Sequence, residues 1–574
     1  MRTRKLIVLK FGGSVLTDVD SLRGAVHEIY RWRRKGWRVV AVVSAFKGRT
    51  DQLFQESLQR PVVPDSATLA AVLACEEHFS ATQLALQLDS SGVPACVLTP
   101  AALEFIAEGD ALDATPLRLN PHKIEQALER EEVVVVPGYG AVDEGGRAVV
   151  LGRGGSDLSA LFLASCLNAD CCRLVKDVPA LYDRDPAVVD EEGIPQRFGV
   201  ATWGDALSLD GSVIQHKALR FARSLGLDFE LGDLNSVHPT RIGRGPTLCL
   251  PTDPLLSKPM RIVLLGLGTV GACVWKALRA KRDLFEVTAV CVRRQALKRE
   301  GDIPKQLIAA DLQTALQAPA DVVIELMGGI EQATAAIEQA LALGIDVITA
   351  NKAVIAKHGD RLHAMARKHG ARLSYSAAVG GSMPLLERLR SYESGEVKSV
   401  RGILNGTTNY ILNEVERGCL LPDAIAHAQA AGFAESNAER DMSGQDAADK
   451  LSVIAEWLGW PAVSVESLQC EALSESAIAR AKPGSFVLRH VASLTLKRGE
   501  TFGYVALEPV APSDPLAQVE GEGNLSTIQL RDGSFDLVRG RGAGGLPTTE
   551  SVLGDLLALE RERRRQCAVN TTSI

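Results

Sequence analysis

Residues 260–271, MRIVLLGLGTVG, divide the chain and govern how the part after them is read. Arg261 to Leu265 is a short, mostly apolar run, long enough for a buried strand and too short for a core helix. Gly266, Leu267, Gly268, Thr269, Val270 and Gly271 follow with GxGxxG spacing. The first glycine permits a tight strand-to-helix turn, the second lets the backbone approach a pyrophosphate, and the third lets the helix lie close on the strand. The helix N-terminus then faces the anion. GxGxxG alone is a weak signal, but here a helix-compatible VWKALRAKRD and a second strand, Val287 to Val292, complete the unit. No acidic residue ends that second strand to hold a ribose hydroxyl. Arg293 and Arg294 stand there instead, suited to a 2'-phosphate, so NADP is expected, with NAD as the alternative.

The rest of the composition bounds the classes. The chain has 574 residues, 46% of them apolar, enough for several cores. A net charge of -7 with no basic half or stripe argues against nucleic acid or an anionic membrane as partner. The start, MRTRKLIVLKFGG, is interrupted by Lys10 and reads as a strand, not a signal peptide. No apolar run approaches the roughly 18 residues of a membrane helix. The 11 cysteines lack zinc-ligand or CxxC spacing, which fits reduced thiols and a cytoplasmic location.

Residues 1–250 alternate short apolar runs with helical stretches, the pattern of an α/β domain with a largely parallel sheet. Strands are expected at Leu6 to Phe11, Val39 to Ser44, Ala95 to Thr99, Val133 to Pro137 and Arg173 to Lys176, with helices at 66–90 and 156–167. Residues 251–259, PTDPLLSKP, carry three prolines and read as a linker. Glycines sit where strands end: Gly12 and Gly13 beside Lys10, and Gly152 to Asp157 before an apolar helix, with Ser156 or Asp157 near its N-cap. Backbone donors, a lysine and carboxylates are the equipment of phosphoryl transfer, with Lys10, Arg153, Asp157 and Asp177 as candidates.

Together the motifs KFGGS (10–14), VVSAFKGRTD (42–51), CEEHFSA (75–81), VVVVPGYGAVD (133–143), LGRGGSDLSA (151–160) and KDVPALYDRDP (176–186) resemble the amino-acid kinase fold, and within it aspartate kinase. The resemblance implies ATP with Mg2+, its phosphates met by Lys10, Gly12 and Gly13, with Asp157, Asp177 and Tyr182 on the nucleotide side. It places aspartate on Ser44, Thr50, Glu77, Arg153 and Ser156. The family usually reads KFGGTSV, GExxS and DVxGVYTxDPR; this chain has Ser14-Val15-Leu16, Glu76 before Glu77, Ala180 and Ala187. Too few residues separate GDLNS (232–236) from the next strand for the family's paired regulatory domains, so feedback inhibition by that route is not expected.

In the second half, a buried strand from Asp321 ends in Gly328 and Gly329, and a strand at 345–349 leads into Thr349 and Lys352. Strand C-terminal ends are where open α/β sheets place ligands. Asp446 and Lys450, four apart on a helix from about 445 to 458, project from one face. With Glu435 and Asp441 nearby and an apolar stripe following, the lysine is suited to proton transfer to an alkoxide. GLGTVG, ELMGGIE, TANKA, AAVGGSMP, GILNGTTNYIL and GRGAGGLPTTESVLGDLLAL resemble homoserine dehydrogenase in order. That resemblance implies NAD(P)H on Gly266 to Gly271, Arg293, Gly328, Thr349 and Lys352. It puts substrate on Thr407, Glu435, Asp441 and Asp446, with Lys450 as acid/base and Lys352 assisting. It also implies a sodium ion on backbone carbonyls around Ser376, Val379, Gly381 and Met383.

The expected architecture is α/β throughout: an amino-acid kinase fold over 1–250, a Rossmann dinucleotide-binding domain over 260–375, and an α+β catalytic and dimerisation domain over 376–574. The C-terminal helix is expected to return to the Rossmann domain. The main expectation is a bifunctional enzyme with small-molecule substrates, acting as a homodimer or higher oligomer. Two rivals stand beside it: a kinase-fold binding or assembly module without turnover, or an oxidoreductase for another small amino-acid aldehyde.

Overall fold

The computed structural model describes residues 4–59, 64–186, 195–234, 236–250, 258–292, 303–393, 395–434, 438–481, 486–542 and 544–571. They divide into two compact units. One is built from Arg4–Ser90, Pro94–Leu256 and the chain from Arg561; the other is mainly Ser257–Glu560.

The first unit holds a nine-stranded sheet. Its centre is β1 (Leu6–Phe11), paired in parallel with Arg38–Val43 on one side and with β2 (Cys171–Val175) on the other. All six residues of β1 are buried, which is why LIVLKF reads as a continuous apolar run and not an alternating one. At one edge the sheet turns mixed: Phe229–Gly232 runs antiparallel to Thr240–Gly243, and Arg197–Thr202 antiparallel to Leu248–Leu250. The long helix α1 (Ser66–Ser90) and the apolar helix α2 (Gly155–Cys166) contribute Leu84, Leu88, Leu158, Leu161 and Leu163 to the buried interior.

The second unit begins with six parallel strands in the order Ile308–Ala309, Phe285–Cys291, β3 (Met260–Leu265), β4 (Val322–Glu325), β5 (Asp346–Thr349), Leu373–Ser374. In chain order within the sheet this is 3-2-1-4-5-6, the doubly wound arrangement. It opens a crevice where the order reverses, beyond the C-terminal ends of β3 and β4. The helix α3 (Thr269–Arg279) follows β3, and α4 (Lys352–His369) follows β5. A second sheet of six strands pairs Val397–Ile403 antiparallel with Val487–Lys497 and Gly523–Leu530, and α5 (Gly406–Glu416) and α6 (Gln445–Trp457) belong to this part. In the last helix, α7 (Gly545–Thr571), Val552, Leu553, Leu556, Leu557 and Leu559 share a buried cluster with Met260, Ile262, Val274 and Trp275. Their i, i+3, i+4 spacing gives one apolar stripe against β3 and α3.

Candidate active sites

The glycine turn after β3 meets each geometric demand of a dinucleotide cradle. Gly266 has φ +99°, and a Cβ there would sit 2.5 Å from the Leu326 carbonyl oxygen. A Cβ on Gly271 would collide with the Gly266 carbonyl oxygen, so the helix rests on the turn only without a side chain. Gly268, the N-cap of α3, has nothing within 4 Å of a built Cβ. The space a pyrophosphate needs is therefore open at Gly268 and Thr269, while Leu267 is buried and Val270 half-buried behind them. Gly328 is likewise exposed with open space, and Gly329 adopts φ +86°. Arg293 lies outside the described residues.

Thr349, fully buried at the end of β5, donates to Glu325 Oε2 at 2.5 Å, and Met327 N–H donates to Glu325 Oε1 at 2.7 Å. Burial pushes the Glu325 carboxyl up to about 7 against these donors. Asn351 accepts from Val354 N–H at the start of α4 and donates to the Gly329 carbonyl at 2.7 Å, tying the two strand ends together.

Beside this crevice α4 packs on α6. Lys352 opens α4, and its Nζ lies 2.6 Å from Asp446 Oδ1. Lys450, one turn along α6, lies 2.8 Å from Asp446 Oδ2 and donates to the Leu404 carbonyl at 2.5 Å. Asp446 and Lys450 are 8% and 6% exposed, so this i, i+4 pair is no solvated surface bridge. Burial opposes ionisation of Asp446, but Lys450 and Lys352 outweigh it and hold the carboxyl well below its ordinary value. For Lys352, burial works downward, and Asp446 overcomes it and raises the group. Asp446 thus holds two lysines at one place, where an oxygen that develops negative charge would meet them, with Asp441 and Asp449 as the neighbouring carboxylates. Asn405, the N-cap of α5, donates to Asp446 Oδ2 at 2.9 Å and to Asp441 Oδ1 at 2.6 Å, bringing Asp441 into the group. Burial raises the Asp441 carboxyl. Thr407 donates to the Phe433 carbonyl at 2.6 Å, and Glu435 lies outside the described residues.

The segment Ser376–Met383 folds back on itself through Gly380 (φ +90°) and Gly381 (φ +54°). Ser376, Val379 and Met383 are buried. Ser376 Oγ and N–H donate to Asp555 on α7 at 2.8 and 3.1 Å. The Ser376 and Met383 carbonyls accept the backbone N–H groups of Val379 and Leu385. Backbone carbonyl oxygens are ligands of the hard type that a hard cation takes.

In the first unit Lys10 and Lys176 reach the two oxygens of buried Asp157, each at 2.7 Å. Burial lowers Lys10, more than Asp157 restores. Asp157 is brought down to about 2, since its two lysines outweigh the burial that would raise it. Gly12 stands next to this group: a Cβ would come 3.2 Å from Lys10 Nζ, and one on Gly13 would come 3.2 Å from the Ala45 carbonyl oxygen. Helix α2 starts from Gly154 at φ +76° with no side-chain cap, so Ser156 and Asp157 lie in the first turn and not at the N-cap. Their side chains point to other partners: Ser156 Oγ donates to Glu77 Oε1 at 2.7 Å. Glu77 also receives the Tyr139 N–H, and burial raises its carboxyl to about 7 against these hydrogen bonds. Ser80 Oγ donates to the Ser44 carbonyl at 2.8 Å, which places Ser44 beside α1, while Thr50 is half-buried and Arg153 exposed. Asp177 and Tyr182 line a cavity of about 780 Å³ together with Ser14, Ile214 and Lys176, through which it adjoins the Asp157 group. Its size is in the usual range for a ligand as large as a nucleotide.

Residues 384–557 match the homoserine dehydrogenase family and residues 266–376 the homoserine dehydrogenase NAD-binding domain. Residues 5–223 match the amino acid kinase family. A homoserine dehydrogenase of Synechocystis is 35% identical over 52% of this chain and 72% of its own length, and one of Pseudomonas aeruginosa is 34% identical over 53% and 73%. The chain belongs to the homoserine dehydrogenase family. The crystal structure of a homoserine dehydrogenase from Thiobacillus denitrificans aligns with a TM-score of 0.50 and 28% identity, over 54% of this chain and 75% of that one. Among the described residues no helix is long and apolar enough to cross a membrane.

Three residues of this family member escape a reading by motif. Glu325 lies inside ELMGG and Asn405 inside ILNGTTN, yet what each holds is remote in sequence. Lys176 precedes Asp177 and proves to be the second lysine on Asp157. A lysine or carboxylate at the C-terminal end of a buried strand was the available signal in two of the three.

Proposed function

We propose that the second unit reduces the aldehyde of L-aspartate 4-semialdehyde to L-homoserine with NADPH, and that the first phosphorylates L-aspartate to 4-phospho-L-aspartate with ATP and Mg2+. The observation that carries the first half is the Lys352–Asp446–Lys450 group set beside the glycine cradle and Thr349. Bound at that cradle, the nicotinamide would supply hydride to the carbonyl carbon. Lys450 gives its proton to the oxygen as charge develops there, and Asp446 keeps that ammonium aimed. Lys352 adds a second positive charge and borders the cofactor side. Asp441, fixed by Asn405, and Asp446 offer carboxylates to the substrate ammonium. Preference for NADPH rests on Arg293 and Arg294 in the sequence.

In the first unit the Lys10–Asp157–Lys176 group sets two lysines, held by one carboxylate, where a transferring phosphoryl group could meet them. Gly13 adds a backbone donor beside it, while the Gly12 N–H turns to the Val175 carbonyl at 3.4 Å. Exposed Arg153 suits a carboxylate bidentately. The departures at Ser14 and Glu76 leave these groups in place: Glu76 pairs with Arg49 at 2.8 Å, while Glu77 turns inward.

The test is a pair of assays on the full chain. NADPH oxidation should depend on aspartate 4-semialdehyde, and ADP release should depend on aspartate and Mg2+ and disappear in Arg153→Ala. Intact NADPH oxidation with no aspartate-dependent ADP release would make the first unit a binding or assembly module. Faster turnover of another amino-acid aldehyde would overturn the substrate.

A further inference from the structure

The second unit has another cavity, of about 380 Å³, that touches none of the groups above. It lies along the same two helices but further towards their C-terminal ends. His363 and Arg367 come from α4, eleven and fifteen residues beyond Lys352; Glu456 and Trp457 come from the last turn of α6, six and seven beyond Lys450. At 1.5 Å per residue these are separations of about 9 to 22 Å along the helices.

Glu456 is the polar group on which the cavity turns. Its Oε1 is buried and accepts no hydrogen bond. His363 Nε2 is 3.5 Å from that oxygen but bonds the Tyr375 hydroxyl at 3.0 Å. The carboxyl is pressed against α4 at Gly359, where a Cβ would collide with both oxygens. Glycine weakens a helix interior relative to alanine, and here its absence of a side chain is what gives the carboxyl its place. A buried acceptor without a donor is costly, and since Glu456 also lines the cavity, its carboxyl can receive a ligand N–H or ammonium from that side.

The walls and mouth have a different character. Tyr375 meets Trp457 edge-on at 5.0 Å between centroids, and the Arg390 guanidinium lies over the Trp457 ring at 5.0 Å. Arg367, exposed, makes no hydrogen bond or ion pair among the described residues. The lining thus carries two guanidinium groups, Arg367 and Arg390, and two carboxyl groups, Glu393 and Glu456, the mixed charge a zwitterion needs.

We propose that this cavity binds a small zwitterion of amino-acid size, its ammonium on Glu456, its carboxylate on Arg367 and Arg390, and its body against Tyr375 and Trp457. The site is separate from the hydride-transfer group. Its volume sits at the small end of the range for ligand pockets, which excludes nucleotides and peptides.

Isothermal titration of the full chain with the standard L-amino acids and 4-aminobutyrate tests this, beside butyrate and butylammonium, each of which lacks one of the two charges. At least one zwitterion should bind at least about tenfold more tightly than either half-ligand, the scale of one charge-assisted hydrogen bond. That binding should fall about tenfold or more in Glu456→Gln and in Arg367→Ala, and should persist in Lys450→Ala. Arg367→Ala alters an exposed side chain, so it reports on binding even if Glu456→Gln unfolds. No zwitterion binding below about 10 mM, half-ligands binding equally well, or loss of binding in Lys450→Ala alone would each overturn the proposal. Binding is read directly, so its failure is distinct from failure of the semialdehyde reading.

Discussion

Among the described residues an aspartate bridges two lysines twice, at Asp157 and at Asp446, and in both places burial makes the arrangement consequential. Removing one partner of such a group leaves charge uncompensated in a poorly solvated place, whereas the intact group keeps both lysines fixed. Glu325 is the opposite case, a buried carboxyl with hydrogen-bond donors but no cation, raised from 4.5 to about 7 by burial. Because its folded value is raised, the folded state holds the proton more tightly than the unfolded chain does. The stability this gives is fully present below the unfolded value near 4.5 and is lost as pH rises through about 7. The loss is about 3 kcal/mol at the outside. Glu325→Gln stays neutral at every pH, so its melting temperature relative to the parent should climb between about pH 5 and about pH 8. Calorimetry at the two values checks it, and a constant difference would mean that Glu325 ionises as it does in the unfolded chain.

At the scale of the element, the turn between β3 and α3 separates two roles that GxGxxG merges. Gly271 is needed for packing and Gly268 for access. Gly268→Ala should leave the melting temperature near that of the parent, since its φ of -77° suits alanine and nothing lies within 4 Å. It should still raise the NADPH Kd about tenfold or more by putting a methyl group where phosphate approaches. Gly271→Ala should do both, with a destabilisation of about 1–3 kcal/mol from overpacking. Fluorescence titration of NADPH beside thermal melts distinguishes them; equal melts for the two variants would refute the division of roles. The same stretch shows what was legible in the sequence. β1, β3 and the strand Val133–Pro137 read correctly because each buries nearly all its residues and so shows an apolar run broken at most by one charged residue, Lys10 or Arg261, and the Asp446–Lys450 pair read correctly because i, i+4 is a local relation. The mixed part of the sheet, where Phe229–Gly232 pairs antiparallel with Thr240–Gly243, was not legible, because strands this short carry no distinctive period. Ser156 and Asp157 stand near the N-cap of α2 as read, in its first turn, with Gly154 in a left-handed conformation as the cap itself. Lys352 with Asp446, Asn405 with Asp441, and the cavity at Glu456 depend on which helices the sheet topology sets side by side, and no local pattern encodes that.

At the scale of the whole molecule, each unit builds its own interior. The largest buried cluster of the first draws on Leu6 to Ile242, and the clusters of the second on Met260 to Leu559. Each candidate site is completed within one unit, since Lys10, Asp157 and Lys176 belong to the first and Lys352, Asp446 and Lys450 to the second. The two proposed reactions are also not consecutive, because an acyl phosphate must first be reduced to the aldehyde by another enzyme, so neither unit receives the product of the other. Independent interiors, self-contained charge groups and non-consecutive chemistry all argue that the activities separate by point mutation. Lys450→Ala should lower semialdehyde reduction by about two to four orders of magnitude, with kcat falling more than KM rises, and leave aspartate-dependent ADP release within about twofold of the parent. Lys10→Ala should lower ADP release about a hundredfold or more and leave NADPH oxidation within about twofold, since Asp157 keeps its bond to Lys176 and the fold keeps a paired carboxylate. Measuring both activities on both variants decides the matter: if either substitution depresses the distant reaction as strongly as its own, the units are coupled and the premise of independence fails.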